Sequence, residues 1–170
     1  MRLSFLPRWQ TDRVTDISPA FLKSKGIVLL MLDFDNTIVP YTTSTPTPEM
    51  VQWLETMKAS EITLCVVSNS RKDRVKVFCR QYGIPCITRA KKPFTKGINQ
   101  CLQQFSAKPE ACALVGDQIF TDTLGANAAG VSPILVKAIH NHNIWLKLRH
   151  IAELPFIFIE RKRRIDNEKY

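Results

Sequence analysis

Two aspartates one residue apart, Asp33 and Asp35, close an aliphatic run, Gly26-Ile-Val-Leu-Leu-Met-Leu32, and are followed by Asn36-Thr37. A carboxylate at the end of a buried strand costs free energy unless it meets a cation or hydrogen-bond donors, and two side by side repel each other. A hard metal ion, which prefers oxygen ligands, is the simplest positive partner. Three further polar clusters follow along the chain: Ser68-Asn69-Ser70, Lys91-Lys92-Pro93 and Gly116-Asp117-Gln-Ile-Phe-Thr-Asp122. As a set they carry the chemistry of phosphoryl transfer. Asp33 offers a carboxylate nucleophile able to form an aspartyl-phosphate. Asp35 can protonate the leaving oxygen and then activate water. Ser68 can donate to a phosphoryl oxygen, and backbone amides entering the helix after Asn69 add a dipole that favours an anion. Lys92 would neutralise charge on the transferred group, while Asp117, together with Asp122, would complete an oxygen-ligand Mg²⁺ site. The trio expected around the ion is Asp33, Asp35 and Asp117.

Such groups act together only if the fold gathers them. Short β-branched runs alternate with helical patterns, the sign of βαβ units and a mostly parallel sheet. Five strands are expected near Ile27 to Asp33, Ile62 to Ser68, Ile84 to Thr88, Ala111 to Asp117 and Pro133 to Val136. Helices are expected near Pro48 to Ala59, Lys72 to Tyr82, Thr95 to Phe105 and Thr121 to Ala129. Gly83 and Gly130 suit left-handed helix ends, and Asn69 or Ser70, and Thr95, suit N-caps. In this arrangement each polar cluster falls at the C-terminal end of a strand or just after one, the edge where open parallel sheets bind ligands. The class is therefore α/β, a Rossmann-like doubly wound parallel sheet.

In this order, Asp33-x-Asp35-x-Thr37, Ser68, Lys92-Pro93 and Gly116-Asp117-x4-Asp122 resemble the four motifs of the haloacid dehalogenase (HAD) superfamily of phosphatases. The wording of Leu32-Asp-Phe-Asp-Asn-Thr-Ile38, Val67-Ser-Asn-Ser70, Ala90-Lys-Lys-Pro93 and Gly116-Asp-Gln-Ile-Phe-Thr-Asp122 is similar to the YqeG-like family of subclass IIIA. The resemblance implies a five-stranded HAD-like sheet of order 5-4-1-2-3, with strands 1 and 4 adjacent. It implies that Asp33 and Asp117 contact Mg²⁺ through side chains and Asp35 through its backbone carbonyl. It places Asp35 in the acid/base role of the phosphatase branch, and Thr37, Ser68, Asn69 and Lys92 among the substrate-binding residues. Lys92 is preferred to Lys91 because of the proline that follows it. Eukaryotic members that look similar dephosphorylate phosphatidylglycerophosphate.

Spacing bears on the substrate. One loop, one helix and one strand use up the residues between Thr37 and Ser68, and residues 70 to 91 are likewise filled, so no cap domain fits. An open crevice suits a phosphate displayed on something large. The 170-residue length indicates one domain, with a phosphatase core at 26 to 140, an N-terminal extension at 1 to 25 packed on or near it, and a helical, basic C-terminal extension at 141 to 170. A net charge of +9 favours anionic partners. Trp145 to Ile151, Leu154 to Ile159 and Arg161 to Arg164 put aromatic and basic residues where peripheral contact with an anionic membrane is conceivable, although packing on the core is favoured. Five cysteines without a CxxC pair, no signal-peptide pattern and no apolar run long enough to span a bilayer lead to the expectation of a cytoplasmic protein, at most peripheral at the inner face of a membrane. No aromatic-rich RNA-binding motif accompanies the basic residues, which argues against nucleic acid as the partner, although a phosphatase acting on a protein or a nucleic-acid end stays open. The competing class is a receiver-like phospho-acceptor domain that holds its phosphate. Asp35 and an acceptor on the first strand rather than the third argue against it.

Overall fold

The structure is a computed structural model, and the residues it describes are 4–139. Its centre is the strand β2 (Leu29–Leu32), buried at every position. A strand with both faces covered reads as an unbroken apolar run, as Leu29-Leu-Met-Leu32 does. Successive side chains point to opposite faces: Leu30 and Leu32 join one core cluster, Leu29 and Met31 the other.

On the first face pack α1 (Pro19–Ser24), α2 (Pro48–Ala59) and α3 (Asp73–Gln81), through Leu22, Trp53 and Phe78 among others. On the second lie α4 (Lys96–Gln104) and the short α5 (Leu124–Ala129), through Ile98, Cys101 and Ala126. Each large side chain fully buried in this way contributes about 2 kcal/mol relative to exposure. The remaining strands are β1 (Trp9–Gln10), β3 (Thr63–Val67), β4 (Cys86–Ile87), β5 (Cys112–Gly116) and β6 (Ser132–Leu135).

All six strands are parallel, in the order β1-β6-β5-β2-β3-β4. The five expected strands keep the expected order, and the expectation of five is corrected to six. Trp9–Gln10 adds beside β6, with Trp9 opposite Ile134. Two residues are too few to show a strand period, so this edge was not legible in the sequence. The N-terminal residues Val14, Ile17 and Leu22 belong to the same core cluster as Leu30 and Leu32, and Trp53 Nε1 donates to the Ile17 carbonyl at 2.8 Å.

Helix ends follow expectation in part. Gly83 (φ 63°) and Gly130 (φ 77°) take left-handed conformations after their helices. Thr95 precedes α4 without a side-chain capping bond, its hydroxyl accepting instead from Asn99 Nδ2 at 3.3 Å. Helix α5 begins at Leu124 rather than Thr121, because a π-helical turn occupies Ile119–Thr123. No cap domain is present among the described residues: the β2-to-β3 connection holds one loop and α2, the β3-to-β4 connection α3. Among these residues, no helix is long and apolar enough to cross a membrane. The expected C-terminal extension at 141 to 170 lies outside them.

Candidate active site

The register places Asp33 first. Its backbone N–H donates to the Val115 carbonyl at 2.9 Å, which carries the β2–β5 ladder one residue past β2. Gly116 and Asp117 then lie alongside, and the two carboxylates share one crevice at the C-terminal edge. Asp122 joins them from the π-helical turn. One carboxylate oxygen from each of Asp33, Asp117 and Asp122 lies within 4.8 Å of the others, and all three residues are buried.

The turn explains how a residue five positions past Asp117 returns to it. The Asp122 N–H donates to the Gln118 carbonyl at 2.9 Å, and Asp122 Oδ2 accepts from the Gln118 N–H at 3.1 Å. The carboxylate thus folds back over Gly116. A Cβ at Gly116 would stand 2.3 Å from Asp122 Oδ2, so only glycine leaves room. The Gly-Asp-x4-Asp spacing is therefore a steric unit, with glycine vacating the space that the second carboxylate fills.

Lys92 supplies the countercharge. Its Nζ donates to Asp33 Oδ1 at 2.6 Å and lies 2.7 Å from Asp122 Oδ1, and the side chain is 1% exposed. The loop delivering it curves through Arg89 (φ 55°) and Lys91 (φ 58°), both left-handed. Asn69 then clamps it. Asn69 Oδ1 accepts from the Lys92 N–H at 2.7 Å and Nδ2 donates to the Lys92 carbonyl at 2.9 Å. The side-chain amide of Asn69 is thereby committed to holding Lys92.

Ser68 and Thr37 flank the acids. Ser68 is buried, and its Oγ accepts from the Ser70 N–H at 3.1 Å, which leaves the hydroxyl hydrogen to donate. Thr37 Oγ1 donates to Asp117 Oδ1 at 3.4 Å.

The Asp35 side chain stands apart from this group. The carboxylates that converge are those of Asp33, Asp117 and Asp122, whereas the Asp35 carboxylate pairs with the Arg74 guanidinium. The reason is local: β2 ends at Leu32, Asp35 bridges to Val39, and Asn36 is left-handed (φ 61°), so the chain turns before strand alternation can bring Asp35 beside Asp33. Arg74 is the residue that sequence reasoning missed. It is mostly buried, 5.2 Å from the Phe34 ring centroid, and it donates to the carbonyls of Pro40 and Thr43. It ties α3 to the loop that carries Asp35. Its place on the first turn of α3, below the Ser68 cluster, was the available signal.

Electrostatics identify what the group lacks. Burial pushes the Asp33 carboxyl up to about 6, against the pull of Lys92 and with the repulsion of Asp122. Burial, then Asp122 and Asp33, raise Asp117 well above the usual carboxylate range. Burial alone would lower Lys92, but Asp122 and Asp33 outweigh it and leave its ammonium above the ordinary lysine value. Three carboxylates around one ammonium leave uncompensated negative charge in a buried place. Asp122 Oδ1 is also buried without a hydrogen bond, its contact with Lys92 being close but poorly directed. An oxygen-only donor set with spare charge and an orphaned acceptor fits a hard divalent cation, which Asp33, Asp117 and Asp122 could hold.

Comparison with known proteins agrees with this geometry. Residues 10–130 match the family model described as haloacid dehalogenase-like hydrolase. The chain is 38% identical over 132 residues to the probable phosphatase YqeG of Bacillus subtilis (strain 168), which covers 78% of this chain and 77% of that protein. Among solved structures, it is similar to the cobalt-bound form of the deoxy-D-mannose-octulosonate 8-phosphate phosphatase of Haemophilus influenzae (TM-score 0.54, 14% identity, 75% of this chain and 77% of that one). It is also similar to the 3-deoxy-D-manno-octulosonate 8-phosphate phosphatase of Yersinia pestis (TM-score 0.53, 16% identity, 75% and 72%). At such identities these two structures bear on the fold alone.

Proposed function

Because this chain belongs to the haloacid dehalogenase-like hydrolases, as a phosphatase of the YqeG type, we propose that it hydrolyses phosphomonoesters with Mg²⁺ through an aspartyl-phosphate on Asp33. The observation that carries this reading is the buried convergence of Asp33, Asp117 and Asp122 around Lys92. Asp33, Asp117 and Asp122 would hold Mg²⁺ through side chains, with the backbone carbonyl of Asp35 added by family resemblance. Bound there, the ion would neutralise carboxylates and phosphoryl oxygens so that an anionic nucleophile can approach an anionic ester.

In the first step an Asp33 carboxylate oxygen attacks phosphorus, and the bond to the leaving oxygen breaks as Asp35 gives that oxygen its proton. In the second, Asp35 takes a proton from water, whose oxygen attacks the same phosphorus and releases phosphate and the free Asp33 carboxylate. Ser68 donates to a phosphoryl oxygen, and Lys92, held by Asn69, offsets the charge gathering on the group. The Arg74 contact has to loosen for Asp35 to reach a leaving-group oxygen. Arg74 thus keeps the acid/base residue on the crevice wall between turnovers.

The favoured substrate is a phosphate displayed on a large body, and the specific candidate is phosphatidylglycerophosphate. The uncapped crevice and the family resemblance support it. Phosphate release should be measured with and without Mg²⁺ over a panel of aryl phosphate, phosphopeptide, nucleotide and phosphatidylglycerophosphate in mixed micelles. Mg²⁺-dependent turnover that the Asp33→Asn variant lacks is expected, with the lipid preferred; full activity in that variant would remove the nucleophile assignment. Lipid turnover no faster than that of soluble esters would remove the substrate assignment.

A further inference from the structure

We propose that the rim of the crevice, formed by Tyr41, Phe94 and the cations of the loops after β3 and β4, is a docking surface for an anionic lipid bilayer. This rests on the reading of the crevice as a phosphatase site for a lipid-borne phosphate.

Five large apolar side chains stay exposed among the described residues. The two aromatic ones, Tyr41 (47% exposed) and Phe94 (73%), both lie at the C-terminal sheet edge, on the loops after β2 and β4. Scattered exposed apolar residues need no explanation, but exposed aromatics on two loops of the sheet edge that carries the site call for one. Phe94 is two residues past Lys92, so an aromatic ring protrudes where the loop delivers its ammonium to the acids. Nothing in the chemistry of phosphoryl transfer requires that ring. Phenylalanine and tyrosine are suited to a water–lipid boundary, because the ring is apolar and the tyrosine hydroxyl stays wet.

Charge points to the same partner. Residues 69–72 and 88–95 carry, besides the buried Lys92, the exposed Arg71, Lys72, Arg89 and Lys91 and no acidic residue, with one exposed acid, Asp73, following at the start of α3. Lys72 Nζ sits 4.4 Å from the Tyr41 ring centroid and 3.3 Å from its hydroxyl, so cation and aromatic form one patch. Around a negatively charged crevice floor, a positive rim with protruding aromatics matches an interface of anionic headgroups above acyl chains. Docked on its rim, the open crevice would face the headgroup layer. These residues differ from the basic and aromatic ones near the C-terminus, which gives the test its discrimination.

The full-length protein should be mixed with phosphatidylcholine vesicles, with and without phosphatidylglycerol, and its partition measured by flotation. Wild type should float with the anionic vesicles and not with neutral ones. A Phe94→Ser variant and an Arg71→Glu/Lys72→Glu variant should each lose at least about tenfold in partition, as expected for removing an apolar anchor or reversing two surface charges. Both should keep wild-type turnover of a soluble aryl phosphate and wild-type melting, since none of these residues stands in the acidic group. Absence of wild-type binding, equal binding to neutral vesicles, or undiminished binding by both variants overturns the proposal; tighter retention on single-stranded DNA than on vesicles does so too, by assigning the rim to nucleic acid. Failure of the phosphatase reading would show separately, as no release from soluble aryl phosphate by wild type.

Discussion

Gly116→Ala offers a steric probe of the acidic group that removes no functional atom. The added methyl would lie 2.3 Å from both Cγ and Oδ2 of Asp122 and 2.5 Å from its Cβ. Ordinary carbon contacts begin near 3.5 Å, so the carboxylate must retreat by about 1 Å. It cannot do so as a free side-chain tip. Asp122 is 2% exposed, its Oδ2 accepts from Gln118 N–H, and its own N–H is bound to Gln118 within the π-helical turn. Metal ligands tolerate displacements of only a few tenths of an ångström, so Mg²⁺ affinity should fall about 10- to 100-fold, with overpacking adding about 1–3 kcal/mol of destabilisation. Titration calorimetry gives the affinity, denaturant melts the stability, and kcat/KM on a soluble aryl phosphate should fall at subsaturating Mg²⁺. Affinity and kcat/KM both within about twofold of wild type would mean that Asp122 does not help to hold the ion, and the steric reading of the Gly-Asp-x4-Asp unit would fail.

Three further perturbations test other parts of the site. Without metal, burial lets folded Asp33 keep its proton up to about 6, against 3.8 for an unperturbed aspartate, so its contribution to stability is full below the lower value and is lost as pH rises through the higher one; the loss is about 3 kcal/mol. Mg²⁺ should therefore raise the melting temperature more at about pH 7.5 than at about pH 5, and equal shifts in chelator-controlled melts would contradict this. Asp35→Asn should leave Asp33 able to accept phosphate but slow to release it; acid-quench labelling should find trapped phosphoenzyme, and none above wild type would count against the acid/base role. Asn69→Ala removes both bonds that hold the Lys92 backbone, and a cost of about 1–3 kcal/mol is expected, with a lower kcat on aryl phosphate, read by melting and steady-state kinetics.

The chemistry was legible because phosphoryl transfer restricts residue types. Asp33, Ser68, Lys92, Asp117 and Asp122 stand out in the sequence since each ends or follows an apolar run whose strand character is plain, and parallel α/β topology brings such ends to one edge. Core strands could likewise be read, because burial on both faces leaves a continuous aliphatic stretch such as Leu29–Leu32. Less visible was anything that depends on a short segment or on the direction of a side chain. β1 has two residues and no period, and α5 gives up its expected first turn so that Asp122 can fold back.

What the sequence determined by itself, then, is the class of fold and the inventory of reacting groups, since burial periodicity and polar punctuation are local properties of the chain; the order of the strands was implied by the family resemblance alone. The tertiary structure alone decided which carboxylates share the buried charge, that Asn69 clamps Lys92, and that Arg74 pairs with Asp35. Those outcomes turn on ångström-scale direction set by ladder register, left-handed residues and the room left by a missing Cβ at Gly116. Direction of that kind emerges only when distant segments meet.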